Sequence, residues 1–362
     1  TEQQAKLYPN PAGSVQIENF GGAGPASGFS ATETTVGVSQ LIELGGKREA
    51  RQGIALAGRK TAEVDAAAAK LDLAKDVTVA YSQAVAAQDG VNIAVETEAA
   101  AKQVLADVNR RVAAARDPLF QRSKAEVAYS SSVTARQVAE LERTAALQRL
   151  GRFWGAQTVT QRLTDLNVAQ VDQPEPLAAY EARYRSAPDF LHFQRLSEMR
   201  AAELRLAEAN AVPDITASTG VRQTAGVGGV TFLAGLSVPI PILNQNQGEI
   251  ARAQAEFRKV DQDRRQWEIE RSQELIVAWT GWQSAWREVN SIRGQSLPQA
   301  ENAYQQALEG YRSGAFEYLE VLDAQRSFFE QRKNYIAALA RLQTARAETE
   351  RLAPSDETGS EQ

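Results

Sequence analysis

The sequence predicts a mainly α chain with a membrane β-barrel part. Three observations carry that expectation. The chain is written twice, each half opens on a pair of alternating runs, and each continues into helical patterns too long for a compact domain. "VGVSQLI" (36–42) returns as "AGLSVPI" (234–240), and "LAKDVTVAYSQAVAAQ" (73–88) as "RSQELIVAWTGWQSAW" (271–286), at a step of about 200 residues. "SVQIE" (14–18) has its counterpart in "DITAS" (214–218), each shortly after a proline. The likeness is weak residue by residue, but its order is kept, so each half reads as a β-hairpin followed by a long helical hairpin.

Composition narrows the function classes. The 362 residues carry 40 Lys and Arg against 45 Asp and Glu, a net charge of −5, which gives no reason to expect nucleic acid as a partner. There is no cysteine, one histidine (His192) and one methionine (Met199). Soft and borderline metal ions seek thiolate, thioether or imidazole ligands, so no metal site and no cofactor are expected. No apolar run reaches the roughly 18 residues of a transmembrane helix. The opening "TEQQAKLYPNP" is stopped by Pro9 and Pro11, so residues 1–11 read as the end of a truncated N-terminal helix.

Repeat 1 is assigned to 12–150. Its β-hairpin, 12–43, surrounds "GGAGPASG" (21–28), and its helical hairpin, 47–150, reverses at "ARDPLF" (115–120). An equatorial connector is expected over 151–187, irregular through "GRFWGAQTVTQRLTDLNVAQVDQPEP" (151–176). Repeat 2, 188–352, contains a helix (188–211), a β-hairpin (213–241) around "TAGVGG" (224–229), and a helical hairpin (247–352) reversing at "RSGAF" (312–316). In its second strand Val230, Phe232, Ala234, Leu236, Val238 and Ile240 alternate with Thr231, Leu233, Gly235, Ser237 and Pro239, giving one apolar face. In the outgoing rod Leu275, Trp279, Trp282, Trp286 and Val289 recur at steps of three and four, and Leu297, Ala300, Tyr304, Leu308 and Tyr311 continue the stripe. Some 65 residues at about 1.5 Å each make a rod of roughly 100 Å, which must pack lengthwise against other helices. Pro298 is expected to kink it. The polar tail 353–362 is expected to be disordered.

Four strands cannot close a barrel, because small closed barrels need about eight. Two chains would pool eight and three would pool twelve. Tilted strands of about ten residues match the roughly 25 Å apolar band of an outer-membrane barrel, with an apolar side to lipid and a small or polar side to water. Alternating strands alone fit ordinary half-buried hairpins equally well. The combination with the duplication and the rods favours the barrel, with Val230, Phe232, Ala234, Leu236, Val238 and Ile240 facing lipid.

"PNPAGSVQIENFGG" (9–22), "SQLIELGGKREAR" (39–51) and "YRSGAFEYLEVLDAQRSFFEQR" (311–332) resemble the TolC-like outer-membrane factor family. "ENFGG" and "IELGGKR" point to its CzcC-like branch, the outer-membrane components of heavy-metal efflux systems of the resistance-nodulation-division (RND) type. The resemblance implies a homotrimer closing a twelve-stranded barrel in outer-membrane lipid and a helical periplasmic tunnel. It also implies an exit duct in a Gram-negative outer membrane, docking to a periplasmic adaptor protein and an inner-membrane RND pump, and not an enzyme. Glu320 and Asp323 of "LEVLD" fall on positions that resemble the acidic pair ringing the tunnel's periplasmic constriction. The two hairpin tips are the implied adaptor-docking surface: Arg116, Asp117 and Leu119 from the first, and Arg312, Ser313, Gly314, Ala315 and Phe316 from the second. The first tip departs from the pattern, lacking the glycine of the second.

Blander readings accompany these. Glu320 and Asp323 also suit a helix first turn, where carboxylates complement the dipole. The tryptophan stripe reads as packing, His192 as a helix-face residue, and "GVGG" (226–229) as a hairpin turn rather than a phosphate loop. No nucleophile–base pair is evident. The alternatives are a periplasmic adaptor, which would carry one hairpin and more strands, and an outer-membrane factor for organic compounds or drugs.

Overall fold

The computed structural model describes residues 2–24, 27–161, 163, 172–226 and 228–355. Two compact units divide the chain: Thr1–Ala67 with Pro188–Glu268, and Ala68–Ala187 with Ile269–Gln362.

The first unit holds the strands β1 (Ala12–Glu18), β2 (Glu33–Ile42), β3 (Ile215–Thr224) and β4 (Val230–Ser237). They form one antiparallel sheet in the order β1-β2-β3-β4, so the central pair joins the two sequence repeats. Register sorts the side chains, because successive residues point to opposite faces. The row Val15, Val36, Val221, Phe232 lies on one face, together with Ile17, Val38, Ala217, Val230, Ala234 and Leu236. The row Ser14, Gly37, Gly220, Leu233 lies on the other, together with Gln16, Thr35, Ser39, Ser218, Arg222 and Thr231. The apolar face is uncovered: Val15 is 69%, Phe232 82% and Leu236 77% exposed.

Strand ends differ from expectation for local reasons. β1 stops at Glu18, short of the Gly-rich turn, because Asn19 and Gly21 adopt positive φ. β4 stops at Ser237, short of 241, where Pro239 and Pro241 remove two ladder donors. Val238 and Ile240 therefore lie past the strand on which they were expected, although both are exposed.

Helices leave the sheet through a charged joint. α2 (Lys47–Ala113) begins where Lys47 Nζ meets Asp214 Oδ1 at 2.6 Å, and the same oxygen accepts the Leu44 N–H at 3.0 Å. Arg51 and Glu43 pair one turn further on, through Nη2 and Oε2 at 2.8 Å and a second Nη1–Oε1 contact. The "IELGGKR" stretch is thus the tie between β2, α2 and the entry to β3. α1 (Glu2–Ala5), α5 (Pro188–Ala209) and the start of α6 (Gln247–Ser291) complete this unit.

In the second unit α3 (Leu119–Gly151), α7 (Leu297–Ser313) and α8 (Tyr318–Leu352) pack with the far end of α2. Val104, Val108, Ala125, Tyr304, Ala307, Tyr311, Tyr318, Val321 and Leu322 form one core, drawn from both helical hairpins. α6 passes into α7 through a π-helical turn, Ile292–Ser296, directly before Pro298. A proline ring clashes with the carbonyl four residues back, and the wider π turn relieves that clash. The connector contains α4 (Leu177–Tyr184), which begins directly after the stretch expected to be irregular and was not itself expected. Tyr180 of α4 meets Trp282 edge-on with ring centroids 5.8 Å apart, and Trp279 Nε1 donates to the Glu175 carbonyl at 2.9 Å. Within the stripe Trp282 is buried, while Trp279 and Trp286 are half-buried. Ala353, assigned to the polar tail, caps the end of α8 and is buried. The remaining tail, 356–362, and connector positions 162 and 164–171 lie outside the described residues. No described helix is long and apolar enough to cross a membrane.

Candidate functional site: the paired helical turns

Both helical hairpins reverse by the same backbone device. α7 ends at Ser313 and Gly314 takes φ 86°, ψ 13°. The Gly314 N–H donates to Tyr311 O at 3.1 Å and the Ala315 N–H to Gly310 O at 2.8 Å, which closes the helix in the manner glycine favours. At the first tip the Ala115 N–H donates to Val112 O at 3.0 Å and the Arg116 N–H to Arg111 O at 2.9 Å. Ala115 adopts φ 57° there, so an alanine occupies the left-handed conformation at a cost of roughly 1 kcal/mol. The missing glycine at the first tip does not change the turn.

Gly310, inside α7, is required by a close approach. A Cβ at that position would lie 2.3 Å from Phe316 Cδ2, because the Phe316 ring folds back over the last helical turn.

The two tips are clamped together. Arg111, near the end of α2, grips Asp117 with two parallel bonds, Nε to Oδ2 at 2.9 Å and Nη2 to Oδ1 at 3.0 Å. Its third nitrogen, Nη1, donates to the Tyr311 carbonyl at 2.8 Å. The Tyr311 hydroxyl in turn donates to Asp117 Oδ2 at 2.8 Å, and the guanidinium sits 4.6 Å from the Tyr311 ring centroid. Tyr311 is 1% exposed. The Arg111 guanidinium holds the Asp117 carboxyl below the usual carboxylate range. Burial pushes the Tyr311 phenol up, and the adjoining Asp117 charge adds to that shift. A second contact crosses the tips nearby: Asp107, buried and paired with Arg110, has Oδ2 3.7 Å from Arg312 Nε.

Of the residues assigned to the docking surface, Arg116, Leu119, Arg312, Ser313, Gly314, Ala315 and Phe316 are exposed. Asp117 is turned inward, with a side chain only 7% exposed and its carboxylate engaged by the clamp. Phe120 and Leu319 add exposed apolar surface that sequence reasoning left out. Glu320 and Asp323 occupy the first two turns of α8, one helical step apart, and both are exposed. The opposite side of the same turns, Tyr318, Val321, Leu322 and Gln325, is buried, so the acidic pair lies on the outward stripe. His192 sits on α5 with Nδ1 2.6 Å from Asp65 Oδ1. Among the described residues no group of three or more His, Cys, Asp or Glu side chains is placed to hold a metal ion.

Arg111, Gly310 and the Tyr311 hydroxyl are the site residues that sequence reasoning missed. Tyr311 was visible only as a member of an apolar stripe. Its polar partner is 194 positions away in the chain, and no local pattern marks it.

The chain is 25% identical over 350 residues to the cobalt-zinc-cadmium resistance protein CzcC of Cupriavidus metallidurans, covering 96% of this chain and 82% of that protein. It is 25% identical over 254 residues to the nickel and cobalt resistance protein CnrC of the same organism, covering 69% of this chain and 59% of that one. Its backbone superposes on the solved structure of CusC, described as undergoing transmembrane channel formation, with a TM-score of 0.81 at 19% identity, covering 98% of this chain and 85% of that one. The family model for outer membrane efflux protein matches residues 12–156 and 180–353. These residues take in both β-hairpins and both helical hairpins, and the chain belongs to the outer membrane efflux protein family.

Proposed function

We propose that the chain is one third of a passive exit duct for heavy-metal cations. Three copies would pool their strands into a twelve-stranded outer-membrane barrel and extend it with their helices. A periplasmic adaptor would dock on the paired turns, and an inner-membrane RND pump would supply the energy. The observation that carries the reading is the sheet: its register separates an uncovered apolar face from a polar one, and β1 and β4 end it as edges. Pairing those edges between copies and turning the apolar face to lipid would satisfy both requirements at once. Metal cations as cargo are supported by the names of CzcC and CnrC.

In this reading Glu320 and Asp323 from three copies ring the periplasmic end of the duct. Two such carboxylates about 6 Å apart repel by roughly 0.7 kcal/mol in water and about 3 kcal/mol at an effective dielectric of 20. The ring would favour cations, as charged rings do in other pores. The test is a planar-bilayer measurement of reversal potential under a zinc chloride gradient. The wild-type protein is expected to conduct with cation preference, and Glu320→Gln with Asp323→Asn to lose part of it. Unchanged preference in the double variant would leave the pair only a helix-dipole role.

A further inference from the structure

The four strands contain three charged residues: Glu18 at the end of β1, Glu33 at the start of β2 and Arg222 near the end of β3. All three lie on the polar face, at the end of the sheet where the β1–β2 and β3–β4 turns are made. They form one network. Arg222 Nη1 donates to Glu33 Oε2 at 2.9 Å, Nη2 to Glu18 Oε2 at 3.2 Å, and Nε to Thr35 Oγ1 at 3.0 Å. The network remains open to solvent, with side-chain exposures of 30% for Arg222, 38% for Glu18 and 25% for Glu33. The middle of the same face is lined mostly by small residues, Ser14, Gly37, Gly220, Ser39, Ser218 and Gly235. Leu233 is the large side chain of that middle row, and the charged strand side chains are all gathered at one end.

We propose that Arg222, Glu18 and Glu33 line the outward mouth of the duct and set its ion preference there, as a second charged ring in series with Glu320 and Asp323. This rests on the proposed trimeric duct, in which the polar face is the lumen and the turns face outside. Each sheet contributes one arginine against two glutamates, so three copies carry a net charge of −3 around the mouth. The surplus carboxylate leaves the mouth attractive to cations while Arg222 holds both glutamates in fixed positions.

The experiment uses the full chain in planar bilayers and reads reversal potential in a potassium chloride gradient. Arg222→Gln takes the three-copy charge from −3 to −6 and is expected to raise cation preference. Glu18→Gln with Glu33→Gln takes it from −3 to +3 and is expected to lower that preference or reverse it. Because either change could impair assembly, a second measurement leaves the network intact. The chain has no cysteine, so Thr231→Cys, beside Arg222 on the polar face, and Phe232→Cys, on the apolar face, each present a single thiol. A charged methanethiosulfonate applied from the outward side should change the conductance of the Thr231→Cys channel and leave Phe232→Cys unaffected. Reversal potentials that stay at the wild-type value in both charge variants would overturn the inference while leaving the duct standing. Modification of Phe232→Cys in place of Thr231→Cys would overturn the assignment of the lumen face. A wild-type protein that forms no channel overturns the proposed function, and this inference with it.

Discussion

Asp117 sits at the meeting point of three interactions, and its removal should show what the clamp contributes. In Asp117→Asn the bidentate pair with Arg111 becomes a weaker neutral contact and the Tyr311 hydroxyl faces an amide. The expected loss is about 2 kcal/mol, measurable as a lower midpoint of thermal unfolding in detergent by circular dichroism. The pH dependence has a definite sign. Asp117 has a lowered pKa in the folded chain, so its contribution is present above the unfolded value of about 4 and is lost as pH falls through the folded value. Tyr311 has a raised pKa, so its contribution is complete below about 10 and is lost as pH rises through the folded value. The difference in midpoint between wild type and Asp117→Asn should therefore be widest between those limits and shrink in acid; a difference that persists unchanged at pH 3 would exclude the charged pair as its source. None of this was legible in "ARDPLF", where an aspartate beside a proline reads as a solvated turn. The arginine that claims it lies six positions back, but the tyrosine that completes the clamp comes from the other repeat.

At the scale of elements, the second tip depends on Gly310 as much as on Gly314. The sequence marks Gly314 clearly, because a glycine between two helical stripes has one common use. Gly310 carries no such mark: a lone glycine inside a helix reads as a mild weakness, and only the folded-back Phe316 ring explains it. Gly310→Ala gains helix propensity worth up to about 1 kcal/mol yet must displace that ring, and overpacking of this kind costs about 1–3 kcal/mol. The net expectation is destabilisation, with the midpoint lowered in Gly310→Ala and restored in Gly310→Ala with Phe316→Ala; a single variant as stable as wild type would show that the ring moves freely. Period-two and period-3.6 patterns made the fold class legible, since those patterns are the burial requirement written locally. They missed α4, whose order comes from Tyr180 and the Trp279 and Trp282 side chains of another helix. They also carried β4 too far, because alternation continues through Pro239 after the ladder has ended.

The whole molecule, read as a trimer, has an imaging signature. Single particles of the detergent-extracted protein should be hollow and threefold-symmetric, whereas a solid rod or a compact monomer would sink the barrel and bring the adaptor reading forward. The duplication was legible because its order is preserved, and it announced four strands. It could not announce that the strands form one sheet joined through the ten-residue pairing of Ile42 with Ile215 at one end and Glu33 with Thr224 at the other. That central seam has a temporal consequence. When the first half of the chain emerges during synthesis, β1 and β2 can form only a two-stranded hairpin, which is marginal in water and shows an apolar face with a free edge. Its lasting partner is encoded after the entire first helical hairpin and the connector have been made. Pairings at such long sequence separation are slow to form, and the interval leaves a sticky intermediate. The nascent chain therefore passes through a stage that needs shelter from its own kind, and the seam between the repeats is where its safekeeping ends.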